Sequence, residues 1–297
     1  MADHSTIDDT RYVGQAVRTI EGRAPIVGAA RYTNDFVFPG QLYAHIVRSP
    51  HAAARIRRID TSGALKVSGV VRVLDGAEAA AHIKPITHYI DPAVFGGKSA
   101  EVRVMAVDEV WCYGQPVAVV VAEDKRTARF AAQRIQIVYD VLEPVLDAEA
   151  ATAPDARIVV PGWDSNIMMQ APFRNGDPDA AFAKAAHVVK TSVDIHRFST
   201  QPFETRCYNA VWEHDIEGVT LYATAQNPHP LRHVLSEVLG MPESKIRVHA
   251  PVIGGAFGMK MHGHPEEALM CLLAKLTGRP VKWTETRGAV CASAALA

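Results

Sequence analysis

The second half of the chain alternates between strand-like and helix-like stretches, and this order constrains the fold more than any other feature of the sequence. TLYATAQ, KIRVHAPVI and PVKWTET are typical of strands, whereas PLRHVLSEVLG and PEEALMCLLAKLTG place apolar side chains on one helical face. The two helical stretches end at Gly240 and Gly278, and glycine commonly terminates helices. Because strands and helices alternate, the sequence predicts an α/β arrangement in layers.

The first half contains strand-like runs that are separated by turns, together with one helix candidate. The runs are LYAHIV from Leu42, GVVRVL from Gly69, PVAVVVA from Pro116 and IQIVYD from Ile135. The helix candidate DKRTARFAAQRI precedes the last run, and Asp124 is placed to cap it. Several short strands with one helix predict a compact α+β module.

The composition changes between the two halves of the chain. Residues 148–165 begin with AEAATAPDA, which is rich in Ala, Pro and Asp and is typical of a linker. We therefore expect a first domain at residues 13–147 and a second at residues 166–297. Near the start of the second domain, Asp177 and Pro178 predict the beginning of a helix.

Charge and apolar content exclude several kinds of partner. The chain has 31 Lys and Arg residues against 32 Asp and Glu residues, so no overall field attracts nucleic acid or an anionic membrane. The longest apolar runs are shorter than the roughly 18 residues of a membrane span, and the polar N-terminus does not resemble a secretory signal. We expect a cytoplasmic protein without a membrane span.

The four cysteines are scattered and form no CxxC pair. They are Cys112, Cys207, Cys271 and Cys291. This spacing argues against a zinc ribbon or an iron-sulfur cluster within the chain, and it favours reduced thiols.

The stretch VIGGAFGMK at residues 252–260 is the first candidate for a binding loop. Gly254, Gly255 and Gly258 do not have the spacing of the dinucleotide motif G-x-G-x-x-G, and no P-loop motif is present. One interpretation is a turn in which the glycines only relieve crowding. The other is a ligand-binding loop, which Phe257 favours because it places a large apolar side chain among the glycines.

A second candidate, ATAQNPHPLR, lies at another junction between a strand and a helix. Asn227 is placed as a helix cap, and we favour that role for it. Gln226 ends an apolar strand, where a carboxamide needs hydrogen-bond partners. If the two junctions belong to neighbouring strands, they lie at the sheet edge where α/β proteins bind ligands.

The stretch HRFSTQPFETR contains a third set of polar candidates. Glu204 and Arg206 are two residues apart and would share one face of a strand, so we favour an ion pair between them. Glu204 as a general base is the alternative, and His196 could orient either group.

The stretch MHGHPEE resembles a metal cluster only superficially. His262, His264 and Glu266 are close in sequence, but no further ligand accompanies them. A solvated loop is the favoured interpretation, and we assign no metal ligand.

Several separated motifs give the chain a family resemblance. QNPHPLRHVLSEVLGMPESKIRVHAPVIGGAFGMK resembles the molybdopterin-binding large subunit of molybdenum hydroxylases, the xanthine dehydrogenase and aldehyde oxidase group that includes aerobic carbon monoxide dehydrogenases. VGQAVRTIEGRAPIVGAARYTNDFVFPGQLYAHIVRSPHAAARIRRID and YGQPVAVVVAEDKRTARFAAQRIQIVYDVLEPV are similar to the two ends of that subunit's a/b hammerhead domain. The resemblance implies an α+β protein, in which the hammerhead domain precedes the first part of an α/β molybdopterin-binding domain.

The resemblance also implies cofactor-binding residues. In the family, the Gln of a TQN-type motif approaches the apical oxo ligand of molybdenum, which implies this role for Gln226. Backbone amides of the family's GGGFG-type loop contact the cofactor, which implies Gly255, Ala256, Phe257 and Gly258. Carboxamides and backbone N–H groups suit an oxo ligand because they donate hydrogen bonds without carrying charge. Glu204 and Met261 are candidates for a substrate pocket.

The reaction of the family is oxidative hydroxylation of an aldehyde, an N-heterocycle or carbon monoxide. A carboxylate deprotonates a molybdenum-bound hydroxyl, the oxygen attacks carbon, and hydride passes to a sulfido group. Electrons then leave through two-iron two-sulfur clusters to FAD. We expect those centres on an iron-sulfur subunit and an FAD subunit, and we expect the cytosine dinucleotide form of molybdopterin if the source is bacterial.

Two positions depart from the pattern of the family. Ala256 replaces a glycine, which is tolerable where φ is negative and costly where φ is positive. Met261 stands where purine-oxidising relatives carry a Glu, which argues against a purine substrate.

The resemblance ends before half of the family's large subunit is covered. The remainder supplies further pterin contacts and the catalytic Glu, so the catalytic base is expected outside this chain, which would be inactive alone. The ending GAVCASAALA differs from the charged continuation of the family and suggests a truncated or frameshifted gene product. A second large-subunit fragment could complete the site, and a non-catalytic assembly module is the alternative function.

Overall fold

The computed structural model describes residues 13–86, 91–195, 200–261 and 263–293. Within these ranges the strands are β1 Leu42–Arg48, β2 Ala54–Asp60, β3 Val70–Asp75, β4 Glu109–Val110, β5 Pro116–Ala122, β6 Gln136–Val141, β7 Cys207–Glu213, β8 Gly218–Ala223, β9 Ile246–His249 and β10 Val281–Thr284. The α-helices are α1 Arg23–Ile26, α2 Ser62–Leu65, α3 Gly76–Ala80, α4 Lys125–Ala132, α5 Pro178–Lys184, α6 Pro228–Leu239, α7 Pro265–Thr277 and α8 Arg287–Ser293. Short 3-10 helices lie at Thr33–Asp35, Pro92–Phe95, Ala150–Thr152 and Glu243–Lys245.

Seven strands form one mixed sheet in the order β3-β5-β1-β10-β7-β8-β9. Strands β1 and β10 are parallel, as are β8 and β9, while the other neighbours are antiparallel. A separate antiparallel sheet of three strands has the order β4-β2-β6.

Strand β5 shows why the sequence forms a layered core. All seven of its residues are buried, and its alternating residues belong to two different core clusters. Val119 and Val121 belong to the large core that includes α6 and α7, whereas Val120 packs with Ala131 and Ala132 of α4. A strand covered on both faces is expected to be continuously apolar, as PVAVVVA is.

Helix ends follow the local signals of the sequence. The Asp124 side chain accepts a hydrogen bond from the Thr127 amide at 2.9 Å and caps α4, and Asp177 caps α5 in the same way. Gly240 and Gly278 end α6 and α7 in the left-handed conformation, with φ of 62° and 63°. The predicted ends of these helices are therefore confirmed.

The predicted α+β class is confirmed, and every strand run singled out in the sequence overlaps a strand, although β8, β9 and β10 end earlier than the runs do. The sequence prediction missed β2, β7 and the two-residue β4. Strand β7, CYNAVWE, follows the polar stretch HRFSTQPFETR without an intervening turn signal, so the sequence does not mark where it begins.

The large sheet extends across the predicted boundary between the domains. Strands β1, β3 and β5 come from the first half of the chain, and Leu42 of β1 pairs with Val281 of β10 from the second. The division at residues 148–165 stays a prediction, but it does not separate two independent sheets. In the described part of the chain, every helix is too short or too polar to cross a membrane.

Candidate functional site

Two junctions between a strand and a helix meet at one edge of the sheet. Strands β8 and β9 pair in parallel, from Val219 with Ile246 to Tyr222 with His249, so their carboxyl ends lie side by side. Gln226 follows β8, and the glycine-rich loop at residues 252–260 follows β9. The expected proximity of the two motifs is confirmed, at the kind of edge where α/β folds bind ligands.

The loop depends on three residues with positive φ. Gly255 and Gly258 have φ of 87° and 89°, a conformation that glycine adopts without steric cost, and Phe257 has φ of 52°. Ala256 does not have a positive φ, so its methyl group is tolerated there. Phe257 is therefore the residue that adopts the unfavourable backbone conformation, and it is 70% exposed.

Gln226 binds the loop through both its main chain and its side chain. Its backbone N–H donates to the Lys260 carbonyl at 2.7 Å. Its side-chain Oε1 accepts from the amides of Gly258 and Lys260, each at 3.1 Å. Because both partners are donors, the oxygen of the carboxamide must face them, and the NH₂ group is directed away.

Three consecutive amides of the loop have no acceptor in the described part of the chain. They belong to Gly255, Ala256 and Phe257, and these residues are partly or largely exposed. The Gln226 NH₂ group likewise has no acceptor among the described residues, and Gln226 is exposed. Backbone N–H groups are strong donors, so this edge presents a set of uncharged donors to a ligand that accepts hydrogen bonds.

The predicted ion pair between Glu204 and Arg206 is wrong. Glu204 lies in a bend before β7 rather than on a strand, so the two side chains do not share a face. Glu204 Oε2 accepts from the Gly254 amide at 2.8 Å and from Lys260 Nζ at 2.9 Å. Burial lowers the pKa of Lys260, although the Glu204 carboxylate opposes the shift. The assignment of Glu204 to a substrate pocket stays a prediction.

Arg206 is the centre of a buried charge network behind the loop. Its guanidinium donates to both carboxylate oxygens of Glu285, at 2.6 and 3.0 Å, and to Glu266 at 3.1 Å. The Glu266 carboxylate also binds Arg48. Burial opposes the ionisation of Glu266, but attraction from Arg206 and Arg48 outweighs it and lowers the pKa of Glu266 to about 2. The network joins the residue before β7 and the residue after β10 to Arg48 of β1 and to α7, the helix that follows the loop.

The beginning of α7 does not resemble a metal site. The ring Nε2 of His264 donates to the Met259 carbonyl at 2.9 Å, and burial lowers the pKa of His264 to about 4. Glu266 is already bound by two arginines, and His262 lies outside the described residues. Among the residues that can be described, no group of three or more His, Cys, Asp or Glu side chains could hold a metal ion.

The remaining candidates have mixed outcomes. Asn227 precedes α6, but its side chain makes no capping hydrogen bond, so the interpretation as a side-chain cap is wrong. Met261 is 44% exposed beside the loop, next to the exposed Phe257, and its assignment to a substrate pocket stays a prediction. His196 lies outside the described residues.

Sequence reasoning missed the central role of Lys260 in the site. Its side chain is fully buried, and its backbone and side chain connect Gln226 to Glu204. The sequence contained a signal for this role, since Lys260 stands between two methionines in a glycine-rich loop. A cation in an apolar environment needs a counter-charge nearby, which predicts an acidic partner.

Comparison with known proteins gives matches over both halves of the chain. The family model of the aldehyde oxidase and xanthine dehydrogenase a/b hammerhead domain matches residues 27–143. The model of the molybdopterin cofactor-binding domain matches residues 160–295.

Curated relatives and solved structures agree with these matches. The chain is 35% identical over 277 residues to the nicotine 6-hydroxylase large subunit of Paenarthrobacter nicotinovorans, covering 93% of this chain and 33% of the relative. It is 36% identical to the carbon monoxide dehydrogenase large chain of Afipia carboxidovorans, covering 88% and 33%. The crystal structure of quinoline 2-oxidoreductase from Pseudomonas putida 86 superposes with a TM-score of 0.86 at 34% identity, covering 93% of this chain and 35% of that one. The chain thus spans about a third of the length of these relatives.

Proposed function

Because this chain belongs to the molybdenum hydroxylases of the aldehyde oxidase and xanthine dehydrogenase family, we propose that it forms part of the wall of a molybdopterin site in an oxidoreductase. In this proposal the chain supplies the hammerhead domain and a molybdopterin-binding region of the large subunit. Its glycine-rich loop and Gln226 hold the cofactor.

The set of uncharged donors at the sheet edge carries the proposal. The Gln226 NH₂ group and the amides of Gly255, Ala256 and Phe257 have no acceptor among the described residues. Oxo groups and the carbonyl and phosphate oxygens of a pterin cofactor all accept hydrogen bonds, so these donors fit such a group. Gly258 contributes differently, since its amide binds Gln226 and thereby directs the carboxamide.

The chain's own residues would bind and orient the cofactor rather than transfer protons. A bound molybdenum centre would supply the two-electron oxidation and the oxygen transfer to the carbon of the substrate. Gln226 would donate to an oxygen of that centre, and the loop amides would hold the cofactor beside it. Glu204 Oε2 accepts hydrogen bonds from Lys260 and Gly254 and Glu204 Oε1 is buried, so the proposal places the general base outside this chain.

The finer features are also proposals that draw on the relatives. The nicotine and quinoline enzymes act on N-heterocycles, so an N-heterocycle is the first substrate class to test, with aldehydes and carbon monoxide as alternatives. Met261 would line the substrate side of the loop. We propose the cytosine dinucleotide form of the cofactor, an iron-sulfur subunit and an FAD subunit as partners, and a cytoplasmic location.

Molybdenum analysis of the complex tests the proposal. The chain is purified together with its co-expressed partner subunits, and molybdenum is measured by mass spectrometry for the parent and for Gln226→Met. The parent should contain stoichiometric molybdenum, and Gln226→Met should lose it several-fold because the NH₂ donor is removed and the amides of Gly258 and Lys260 lose their acceptor. Gln133→Met, which removes an exposed carboxamide at the end of α4, is the control and should keep the metal. If no preparation of the complex contains molybdenum, the result favours a non-catalytic assembly module.

A further inference from the structure

One carboxylate oxygen binds both ends of the glycine-rich loop. Glu204 Oε2 accepts from the Gly254 amide at 2.8 Å where the loop begins, and from Lys260 Nζ at 2.9 Å where it ends. The Lys260 side chain is fully buried, and the Glu204 side chain is 14% exposed. A buried ammonium is stable only beside a counter-charge, so this contact restrains the distance between the two ends of the loop.

Lys260 extends the same contact to the carboxamide that the site depends on. Its backbone N–H donates to Gln226 Oε1 at 3.1 Å, and its carbonyl accepts from the Gln226 backbone N–H at 2.7 Å. The path from Glu204 to the Gln226 side chain therefore passes through a single residue. A displacement of Lys260 would move the oxygen acceptor of Gln226 and, with it, the direction of the NH₂ group.

The backbone approaches Glu204 closely enough to require a glycine. A Cβ added to Gly254 would lie 2.7 Å from the Glu204 Cβ, which is too short for two carbon atoms. The Glu204 backbone N–H also donates to the Gly254 carbonyl at 3.2 Å. The loop and the bend that carries Glu204 are thus packed together through main chain as well as side chain.

We propose that Glu204 is a positioning residue that holds the glycine-rich loop closed and, through Lys260, directs the Gln226 carboxamide toward the cofactor. The part about the cofactor rests on the proposed function, whereas the ordering of the loop does not depend on it. A general base needs a lone pair that is available to substrate. Glu204 Oε2 already accepts two hydrogen bonds, and Glu204 Oε1 is buried, so neither oxygen is exposed to an incoming substrate.

Hydrogen–deuterium exchange of the loop amides tests the positioning role. The full chain, in the complex in which it is purified, is compared with Glu204→Gln, Lys260→Met and the double variant. Loss of the charge at Glu204 should speed exchange at Gly254, Gly258 and Lys260 by about tenfold, because a charge-assisted hydrogen bond no longer holds the loop. In the double variant no unpaired ammonium remains, so its effect should be smaller than the product of the two single effects.

A matched control separates this effect from a general loss of stability. Glu243→Gln removes the charge from a carboxylate that binds Arg232 on α6. Among the described residues, Glu243 makes no hydrogen bond to the loop, so the loop amides should exchange at the same rate as in the parent. Exchange in β5, a fully buried strand of the large sheet, should be unchanged in all variants and shows that they are folded.

The outcomes of exchange and metal analysis are distinguishable. If the loop amides of Glu204→Gln exchange at the same rate as those of the parent, the positioning role is overturned. This holds even where the parent complex contains molybdenum. A variant that loses turnover without faster exchange also overturns it and assigns Glu204 to substrate chemistry. If the parent lacks molybdenum in every complex, the proposed function fails, while the exchange result still decides whether Glu204 orders the loop.

Discussion

Replacing Arg206 with methionine should destabilise the protein far more than the same replacement at an exposed arginine. The Arg206 side chain is 2% exposed, and it donates two hydrogen bonds to Glu285 and one to Glu266. Methionine fills much of the volume but removes the positive charge that balances two buried carboxylates. Loss of one partner of a buried ion pair costs about 3–5 kcal/mol. That is a large part of the roughly 5–15 kcal/mol that stabilise a typical domain.

Arg232→Met is the matched comparison. Arg232 forms an ion pair of similar length with Glu243, at 2.8 Å, but the two side chains are 42% and 38% exposed. Exposed pairs contribute about 0–1 kcal/mol because water solvates the separated charges almost as well. Both variants remove a guanidinium from an Arg–Glu pair, but Arg206 is buried and binds two carboxylates, whereas Arg232 is exposed and binds one.

Urea unfolding followed by tryptophan fluorescence measures both variants. Trp283 stacks on Tyr208, and the Arg206 guanidinium lies 5.6 Å from its ring centroid, so its emission reports on this part of the core. Arg206→Met should lower the free energy of unfolding by at least about 2 kcal/mol more than Arg232→Met. Equal losses in the two variants would refute the argument that burial decides the strength of the Arg206 network.

Two further predictions concern a helix cap and acid stability. Asp124→Ala should lower the free energy of unfolding by about 1 kcal/mol in thermal unfolding, and Asn227→Ala by only about a few tenths of that. The reason is that, of these two side chains, only that of Asp124 makes a capping hydrogen bond, and equal losses would contradict it. The folded-state pKa of Glu266 is lowered from 4.5 to about 2, so its stabilising contribution is present above pH 4.5 and is lost as the pH falls toward 2. The urea midpoint of the parent should fall over this range more steeply than that of Glu266→Gln, and parallel curves would show that Glu266 is not the group responsible.

Much of the fold could be predicted because its signals are local. Asp124 caps α4 where its position indicates, Gly240 ends α6, and the apolar run of β5 forms a fully buried strand of the large sheet. Asn227 had the same kind of local signal, yet its side chain makes no cap. In both α5 and α6 a proline follows the N-cap residue, which is Asp177 in α5 and Asn227 in α6. The Asp177 side chain caps its helix and the Asn227 side chain does not, so the same pattern gave one correct and one incorrect prediction.

The ion pairs could not be predicted from spacing. Glu204 and Arg206 are two residues apart and do not pair, whereas Arg206 binds Glu266 and Glu285, which are 60 and 79 positions away. A period of two brings side chains together only on a strand, and β7 begins at Cys207, after both residues. Charges near each other in sequence indicate which groups need partners, but not which partners they find.

By itself, the sequence determined most of the strands and the longer helices, the two motifs that meet at the sheet edge, and the family that they resemble. These features follow from periodicity, turn chemistry and residue patterns that act over a few positions. Only the tertiary structure decided that Lys260 is buried against Glu204 and that the Gln226 oxygen faces the loop. Those contacts join residues more than thirty positions apart. A buried charge finds its partner, and a carboxamide takes its direction, from the donors and acceptors that the folded chain places around it.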